Sequence, residues 1–164
     1  MAEVLDAIRT LLQQQEIPFR EVHHEPTATS EESARARGEP LRIGGKALLM
    51  KADQQYHLFV LPADRKIDSG AVRNHLKTRK LRFASRDELG ELTQEANGDG
   101  LVPGSVPPFG RPLLPFDLYV DTAILENDRI AFNAGSLTDS IILQVTDYID
   151  IAQPKDVFRF SSVG

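Results

Sequence analysis

Apolar residues recur at helical spacing near the start of the chain and gather in short runs further along. An amphipathic helix over residues 2–15 is predicted from Val4, Leu5, Ile8, Leu11 and Leu12. Short apolar runs predict strands at residues 17–22, 47–50, 57–61, 81–84, 118–120, 130–132 and 140–145. Helices and strands therefore alternate irregularly, and the order predicts a single α+β domain rather than a repeated strand–helix–strand fold.

Polar residues mark where the remaining helices begin. A threonine or serine followed three residues later by glutamate forms a capping box, in which each residue satisfies a backbone N–H of the other. This pattern predicts a helix over residues 30–37, ended by Gly38, and another after Ser85. Ser69 and Thr146 are predicted to open two further helices.

Residues 97–115 contain four glycines and five prolines and show no periodicity. Glycines allow backbone N–H groups to approach a ligand closely, and prolines fix a loop's shape before anything binds. The run is predicted to be either a preorganised cradle for a carbonyl or hydroxyl oxygen, or an ordinary ordered loop.

The amino-acid composition excludes several classes of protein for this chain. The chain has 164 residues, 41% of them apolar and 26% charged, which fits a folded globular domain. It has no cysteine, which excludes disulfides, thiolate metal sites and cysteine nucleophiles. The net charge of −5 excludes a generally basic nucleic-acid coat. No apolar run is long enough to span a membrane and the start lacks a signal-peptide pattern, so a cytoplasmic location is expected.

Lys46 follows two glycines at the start of an apolar strand. Its ammonium could neutralise a phosphate or a developing oxyanion, or it could be an ordinary surface lysine. The segment lacks the spacing of a phosphate-binding P-loop.

Three other segments carry candidate chemistry. One is a basic stretch that contains Arg73, His75, Lys77, Arg79, Lys80 and Arg82. It could contact a nucleic-acid backbone, or it could be an ordinary solvated face. The strand ending in Phe132–Ser136 could present N–H groups, or it could be only a turn. His23–Glu25 is interpreted as structural, because adjacent strand residues point to opposite faces.

Taken in order, these segments resemble the YbaK/ProX family of aminoacyl-tRNA deacylases, which are related to the insertion domain of prolyl-tRNA synthetase. The resemblance spans residues 1–152, leaving 153–164 as a C-terminal extension without an interpretation. It rests on His24, Thr27–Ser30, Lys46 and the strand after it, the loop Gly100–Gly110, and Phe132–Gly135. The segment Gly104–Pro108 matches the family's glycine–proline loop and is the most specific element.

The resemblance implies a mixed, β-barrel-like sheet flanked by helices, and hydrolysis of the ester between an amino acid and tRNA, most commonly the tRNA for proline. It implies no metal and no cofactor. By resemblance, the catalytic residues are Lys46, Gly104 and Gly135. The substrate-binding residues are Thr29, Gly100, Ser105, Pro108, Phe109, Asn133 and Ser136. The candidate tRNA contacts are Arg73, Lys77, Arg79 and Lys80, and prolyl-tRNA synthetase is a possible partner.

The chain departs from relatives in two places. Relatives acting on alanyl-tRNA carry histidine–proline where this chain has Asn133–Ala134, and many have asparagine or threonine at the position of Ala47. Both changes bear on which amino acid is removed. Two alternatives stay open: a non-catalytic tRNA- or synthetase-binding module of the same fold, and a hydrolase of another small ester or amide.

Overall fold

The computed structural model describes residues 3–164, in which helices connect strands that belong to three sheets. The helices are α1 Glu3–Gln14, α2 Ser30–Arg37, α3 Ser69–Leu76, α4 Arg86–Leu92, α5 Gln94–Asn97 and α6 Val145–Ala152, with 3-10 turns at Leu41–Ile43 and Thr122–Glu126. The strands are β1 Phe19–His23, β2 Gly45–Ala52, β3 Gln55–Pro62, β4 Arg65–Ile67, β5 Leu81–Phe83, β6 Asp117–Asp121, β7 Arg129–Asn133, β8 Asp139–Gln144, β9 Asp156–Phe158 and β10 Ser161–Val163.

The largest sheet has five strands in the order β5-β2-β3-β6-β9. β2 and β3 form an antiparallel hairpin, whereas β6 runs parallel to both β3 and β9. The hairpin turns at Asp53, whose φ of 52° lies in the left-handed region that such tight turns require. The sheet is therefore mixed, as expected.

A second sheet, in the order β1-β8-β7, meets the first at a single parallel bridge between Gly44 and Ala131. Glycine is required beside this bridge, because a Cβ on Gly45 would lie 2.6 Å from Cδ1 of Ile130. β10 pairs only with β4 in a third sheet. The strands of residues 3–164 thus form a mixed α+β domain, as predicted, but they do not close into a barrel.

Two apolar cores lie against the five-stranded sheet. The larger contains the buried face of α1, with Val4, Leu5, Ile8 and Leu12. The smaller contains Phe59, Tyr119 and Phe160. Residues after 152 take part in this packing, since β9 extends the large sheet and Phe160 is fully buried.

The helix starts agree only in part with the capping predictions. Ser85 and Glu88 form the complete reciprocal box. Thr29 accepts from the N–H of Glu32 as predicted, but the Glu32 carboxylate accepts from Ala28 N–H rather than from the threonine.

Thr146 does not cap α6, so that prediction is wrong. The helix begins one residue earlier, at Val145. The N–H of Val145 donates to the carbonyl of Asp128 at 2.9 Å. This tertiary hydrogen bond satisfies a backbone N–H at the start of the helix, where a side-chain cap was predicted.

The glycine- and proline-rich run is irregular, as predicted: residues 98–116 contain no helix or strand. Gly100 has φ +84°, and a Cβ there would overlap the carbonyl oxygen of Gly90 and lie 2.8 Å from its Cα. Gly100 therefore holds the start of the loop against α4. Among the helices of residues 3–164, none has the length and apolar character needed to cross a membrane.

Gly100→Ala is expected to lower the free energy of unfolding by about 1–3 kcal/mol, because it combines backbone strain with overlap against Gly90. Urea unfolding measures the change. The matched control is Gly90→Ala, whose Cβ would meet nothing within 4 Å and which should stabilise α4 by up to about 1 kcal/mol. Equal effects of the two substitutions would contradict the assigned role of Gly100.

Candidate functional site

A cleft of about 190 Å³ opens where β2 and β7 separate beyond the bridge between Gly44 and Ala131. The start of α2 and the loop around Gly104 complete its walls. The lining residues are Thr27, Ala28, Thr29, Ser30, Ser33, Arg37, Gly44, Gly45, Lys46, Ala47, Leu48, Ala63, Gly104, Val106 and Asn133.

Lys46 is the second residue of β2, and its side chain is half-buried in the cleft wall. Its Nζ donates to the carbonyl oxygen of Arg65, in β4, at 2.6 Å. Burial lowers the pKa of Lys46 because the charged form loses solvent, while Asp64 and Glu31 oppose the shift through their charges. The cleft therefore holds an ammonium group in a fixed position with a perturbed pKa.

The edge of β2 that faces the cleft has unpaired backbone groups. The carbonyl of Leu49 accepts from Ala84 N–H at 2.9 Å, on the side of β2 where β5 lies. Backbone groups of alternate residues in a strand point to the same edge, so the N–H of Ala47 points to that side too. β5 pairs only with Met50–Ala52, so it does not reach Ala47.

The facing edge of β7 is open in the same way. Ala134 N–H donates to the carbonyl of Asp139 on the β8 side. By alternation, the backbone N–H and C=O of Asn133 point away from β8, to the edge that carries the bridge at Ala131. Within residues 3–164, no strand pairs with the N–H of Ala47 or of Asn133 on these two edges, which face the same cleft.

The glycine-rich loop approaches these edges at Gly104, whose φ of +89° favours glycine. Its carbonyl accepts from Asn133 Nδ2 at 2.7 Å, which ties the loop to the end of β7. Asn133 Oδ1 in turn accepts from Arg37 Nη2 at 3.0 Å and from Ser140 Oγ at 3.2 Å. This buried polar network fixes the loop relative to α2 and β7.

Of the predicted catalytic and substrate-binding residues, the structure brings four to the cleft: Lys46, Gly104, Asn133 and Thr29. The Thr29 hydroxyl also caps α2 by accepting from Glu32 N–H.

Four predicted residues of the loop, Gly100, Ser105, Pro108 and Phe109, lie outside the cleft wall. Gly100 packs against Gly90 of α4, and the other three shape the loop from within. Ser105 Oγ exchanges hydrogen bonds with the backbone of Val102. The carbonyl of Pro108 accepts from the buried Tyr148 hydroxyl at 2.6 Å. Phe109 packs in the main core against Phe132 and Tyr148.

Gly135 and Ser136 also lie outside the cleft wall. The N–H of Gly135 donates to the carbonyl of Ser105 at 2.9 Å, so it is not available to a ligand. A Cβ on Gly135 would lie 2.9 Å from Cγ1 of Val4, so this glycine allows β7 to pass close to α1. Ser136 Oγ donates to Asp139 Oδ2 at 2.7 Å.

The predicted tRNA contacts lie at the other end of β2. Arg73, Arg79 and Lys80 line a shallow surface depression, and Lys77 is exposed at the end of α3. None of the four forms an ion pair within residues 3–164, whereas His75 pairs with Asp156 and Arg82 with Glu88. Lys51, which also lines this depression, is five positions after Lys46 along β2, about 17 Å at about 3.4 Å per residue.

Arg37 and Ser33 are cleft residues that the sequence pattern did not single out, and Thr27 entered only as part of the segment Thr27–Ser30, without a role in the site. All three are buried and line the cleft, and the two hydroxyls are hydrogen-bonded to each other at 2.8 Å. One signal could have found the arginine, because Arg37 lies three and four residues after the buried Ala34 and Ser33 of α2. It therefore shares the helix face that packs inward.

The His23–Glu25 segment holds the end of β1 in place. His23 Nδ1 is 2.9 Å from Asp139 Oδ1, and His24 Nε2 is 2.8 Å from Ser140 Oγ. Within residues 3–164, no group of three histidine, aspartate or glutamate side chains is arranged to hold a metal ion.

Fold and site define a class: a mixed α+β domain with a small cleft that presents cations and backbone N–H donors. Comparison with known families narrows this class. Residues 24–151 match the family described as aminoacyl-tRNA editing domain, and the chain belongs to that family. This confirms the family resemblance and identifies a hydrolase of the class that acts on the ester bond of aminoacyl-tRNA.

Two curated relatives extend the comparison. The multifunctional Ser/Thr-tRNA deacylase ProXp-y of Escherichia coli K12 is 38% identical over 151 residues, which cover 88% of this chain and 86% of that protein. The proline–tRNA ligase of Bacillus licheniformis is 34% identical over 106 residues, 65% of this chain but only 17% of the ligase.

Solved structures share the fold at low sequence identity. The hypothetical protein APE2540 superposes with a TM-score of 0.80 at 19% identity, over 94% of this chain and 99% of that one. A proposed trans-editing enzyme for prolyl tRNA synthetase superposes with a TM-score of 0.79 at 19% identity, over 99% of both chains.

The buried position of Lys46 has a consequence that can be measured by titration. After reductive 13C-methylation, the Lys46 signal, assigned with Lys46→Arg, is expected to titrate with a midpoint below the ordinary lysine pKa of 10.5. The ammonium form exists below that midpoint, so any activity that needs it declines as pH rises through a value lower than 10.5. A midpoint at or above 10.5 would contradict the buried position.

Proposed function

We propose that the protein acts in trans to hydrolyse the ester of mischarged tRNA, with the aminoacyl group bound in the cleft between β2 and β7. The observation that supports this most directly is the convergence of Lys46 with the free N–H donors of two open strand edges. Hydrolysis of an ester passes through a tetrahedral intermediate whose oxyanion needs such donors. A cleft of about 190 Å³ suits one small amino acid rather than a nucleotide.

The proposed amino acid is serine or threonine. The relative from Escherichia coli is named for these two, and the cleft of this chain carries the paired hydroxyls of Thr27 and Ser33. Hydroxyls in a buried wall favour a ligand that can hydrogen-bond with them over an apolar one. The proposed tRNA is that for proline, and prolyl-tRNA synthetase is the proposed partner, supported by the similarity to part of a proline–tRNA ligase.

In the proposed mechanism a water oxygen attacks the carbonyl carbon of the ester. Negative charge gathers on the carbonyl oxygen, and in this mechanism the N–H groups of Ala47, Asn133 and the loop at Gly104 donate hydrogen bonds to it. The bond between that carbon and the ribose oxygen then breaks, the ribose oxygen takes a proton, and a free amino acid leaves. Lys46 binds the terminal adenosine or steadies the oxyanion, and no step uses a metal ion.

The proton acceptor for the water is proposed to belong to the substrate. Within the part of the chain that the structure describes, the cleft wall contains no aspartate, glutamate or histidine. The substrate itself supplies two groups that can accept a proton, its α-amine and the neighbouring ribose hydroxyl.

We further propose that Arg73, Lys77, Arg79 and Lys80 bind the tRNA backbone. Arg73, Arg79 and Lys80 share a depression with Lys51, which is about 17 Å from Lys46 along β2 at about 3.4 Å per residue, a spacing that suits contact with phosphates preceding the terminal adenosine. Contacts of this kind are mainly electrostatic and weaken with salt.

The central test measures amino acid release from tRNAs charged with alanine, cysteine, serine, threonine or proline, with and without chelator. Serine and threonine are expected to be released irrespective of chelator. Lys46→Ala is expected to lower the rate about 100-fold or more, the usual cost of removing a group that stabilises the oxyanion. Lys66→Ala, in the exposed neighbouring strand β4, is the matched control and should retain the rate.

The outcomes separate the alternatives. Binding of tRNA without release of any amino acid would identify a non-catalytic module. Release of an amino acid from a small ester, with no activity towards any charged tRNA, would identify a hydrolase of another substrate. Full activity of Lys46→Ala would remove the lysine from the mechanism.

The basic residues are tested by Arg79→Glu combined with Lys80→Glu. At low salt the double variant should bind tRNA at least about 10-fold more weakly, and the difference should shrink at high salt. The charge-matched control is Arg35→Glu with Arg42→Glu, two exposed arginines outside the stretch. If both doubles weaken binding equally, the effect is one of net charge and the assignment fails.

A further inference from the structure

Arg37, the last residue of α2, is a buried cation in the wall of the cleft. Its residue is 8% exposed, and its guanidinium lies against the ends of β7 and β8. Neither the resemblance nor the comparisons assign it a role. Its position beside Gly44, at the point where β2 and β7 separate, places it at the inner end of the cleft.

The guanidinium is held by neutral partners only. Nε donates to Ser140 Oγ at 2.9 Å, and Nη2 donates to Asn133 Oδ1 at 3.0 Å. No carboxylate of residues 3–164 lies within ion-pair distance of it, and Glu39 acts on it only through longer-range charge. Burial lowers the pKa of Arg37 to about 10, which still leaves the side chain charged at neutral pH.

The third nitrogen, Nη1, is the one that can meet a ligand. It has no hydrogen-bond acceptor in the part of the chain that the structure describes, and it lies 3.6 Å from where a Cβ on Gly44 would be. The only side-chain nitrogen or oxygen there that is both fully buried and unpartnered is His57 Nδ1. Nη1 is therefore not fully buried, and Arg37 lines the cleft.

Stability alone does not account for such a group. Burying a charge without an opposite charge costs free energy, and neutral hydrogen bonds offset it only in part. A buried cation with a free donor in a cleft instead suits a site where negative charge develops in a low dielectric.

We propose that Arg37 Nη1 donates to the carbonyl oxygen of the scissile ester and stabilises the oxyanion of the tetrahedral intermediate. The inference rests on the proposed function and adds a catalytic residue to it. When the water oxygen bonds to the carbonyl carbon, the carbonyl π electrons move to the oxygen that faces Nη1. Arg37 keeps its proton throughout. As the intermediate collapses, a lone pair of the oxyanion re-forms the C=O bond, and the electron pair of the broken C–O bond leaves on the ribose oxygen, which takes up the proton that the water lost.

The geometry favours the carbonyl over a phosphate as the bound group. Recognition of phosphate by arginine commonly uses two parallel N–H donors. Ser140 and Asn133 engage Nε and one N–H of Nη2, so the Nε–Nη2 side of the guanidinium is occupied and Nη1 is the nitrogen with both N–H groups free within residues 3–164. The cleft volume of about 190 Å³ also suits a small aminoacyl group beside Arg37 better than a nucleotide phosphate.

The test compares Arg37→Lys and Arg37→Met with Arg35→Met, the same change at an exposed position of the same helix. Release of serine is measured from seryl-tRNA and from 3′-O-seryl-adenosine, which has no phosphate. Arg37→Met is expected to lower kcat about 100- to 1000-fold on both substrates, with KM changed less than about 3-fold. Arg37→Lys should restore part of kcat, and Arg35→Met should match the unaltered protein.

A binding measurement separates this role from a structural one. A phosphonate analogue of 3′-O-seryl-adenosine carries the tetrahedral centre and its charge, whereas the amide analogue resembles the ground state. Calorimetry is expected to show that both Arg37 variants lose affinity for the phosphonate and retain affinity for the amide. A residue that only supports the fold would change the affinity for both equally.

The results that would contradict the Arg37 proposal differ from those that would contradict the deacylase function. A loss on seryl-tRNA that disappears on seryl-adenosine would assign Arg37 to a phosphate and overturn the proposal. Retained kcat in a folded Arg37→Met would overturn it as well, while leaving the deacylase function intact. If Arg37→Met does not fold, the proposal is tested with Arg37→Lys, by its kcat and by its affinities for the phosphonate and amide analogues. If the unaltered protein releases no amino acid from any tRNA, the proposed function fails. The Arg37 proposal then fails as well, unless the phosphonate still binds and loses affinity in the Arg37 variants.

Discussion

The bridge between Gly44 and Ala131 is the constraint on which the site depends. It brings the start of β2 beside β7 in parallel, yet the two strands belong to different sheets and pair at this one bridge within residues 3–164. Their facing edges cannot pair with each other, so the N–H groups of Ala47 and Asn133 remain free beside the cleft. Open edges are usually covered or blunted in folded proteins, and here α2 and the loop at Gly104 leave a gap of ligand size.

Buried polar groups give this gap its rigidity. Asn133 connects the carbonyl of Gly104 to the guanidinium of Arg37, and Ser140 connects the same guanidinium to His24. Each group in such a network is costly to leave unpaired, so the loop, α2 and both β-strands hold one another in place. The donors are thereby fixed before any ligand arrives, which is the condition for electrostatic stabilisation of a developing charge.

The parts of the site that depend on residue types close together in the chain could be predicted from the sequence. A lysine after two glycines and a loop dense in glycine and proline are visible without a structure, and both reach the cleft through Lys46 and Gly104. It failed for groups whose role comes from packing. The N–H of Gly135 looks available in the sequence, but the fold pairs it with Ser105. Arg37 looks like a solvated helix residue, but α2 turns it inward.

The sequence by itself determined most of the longer elements, the mixed α+β class and the family, because periodicity, caps and turn residues act over a few neighbouring positions. It did not predict the short strands β4, β9 and β10 or the helix α5, whose pairing and packing depend on distant segments. It also placed Lys46 at the start of a strand. The tertiary structure alone decided which donors are free, because pairing partners such as Asn133 and Gly104 are 29 residues apart. It also decided that the sheets stay open rather than closing into a barrel, since the register at Gly44 and Ala131 depends on contacts between segments distant in the chain.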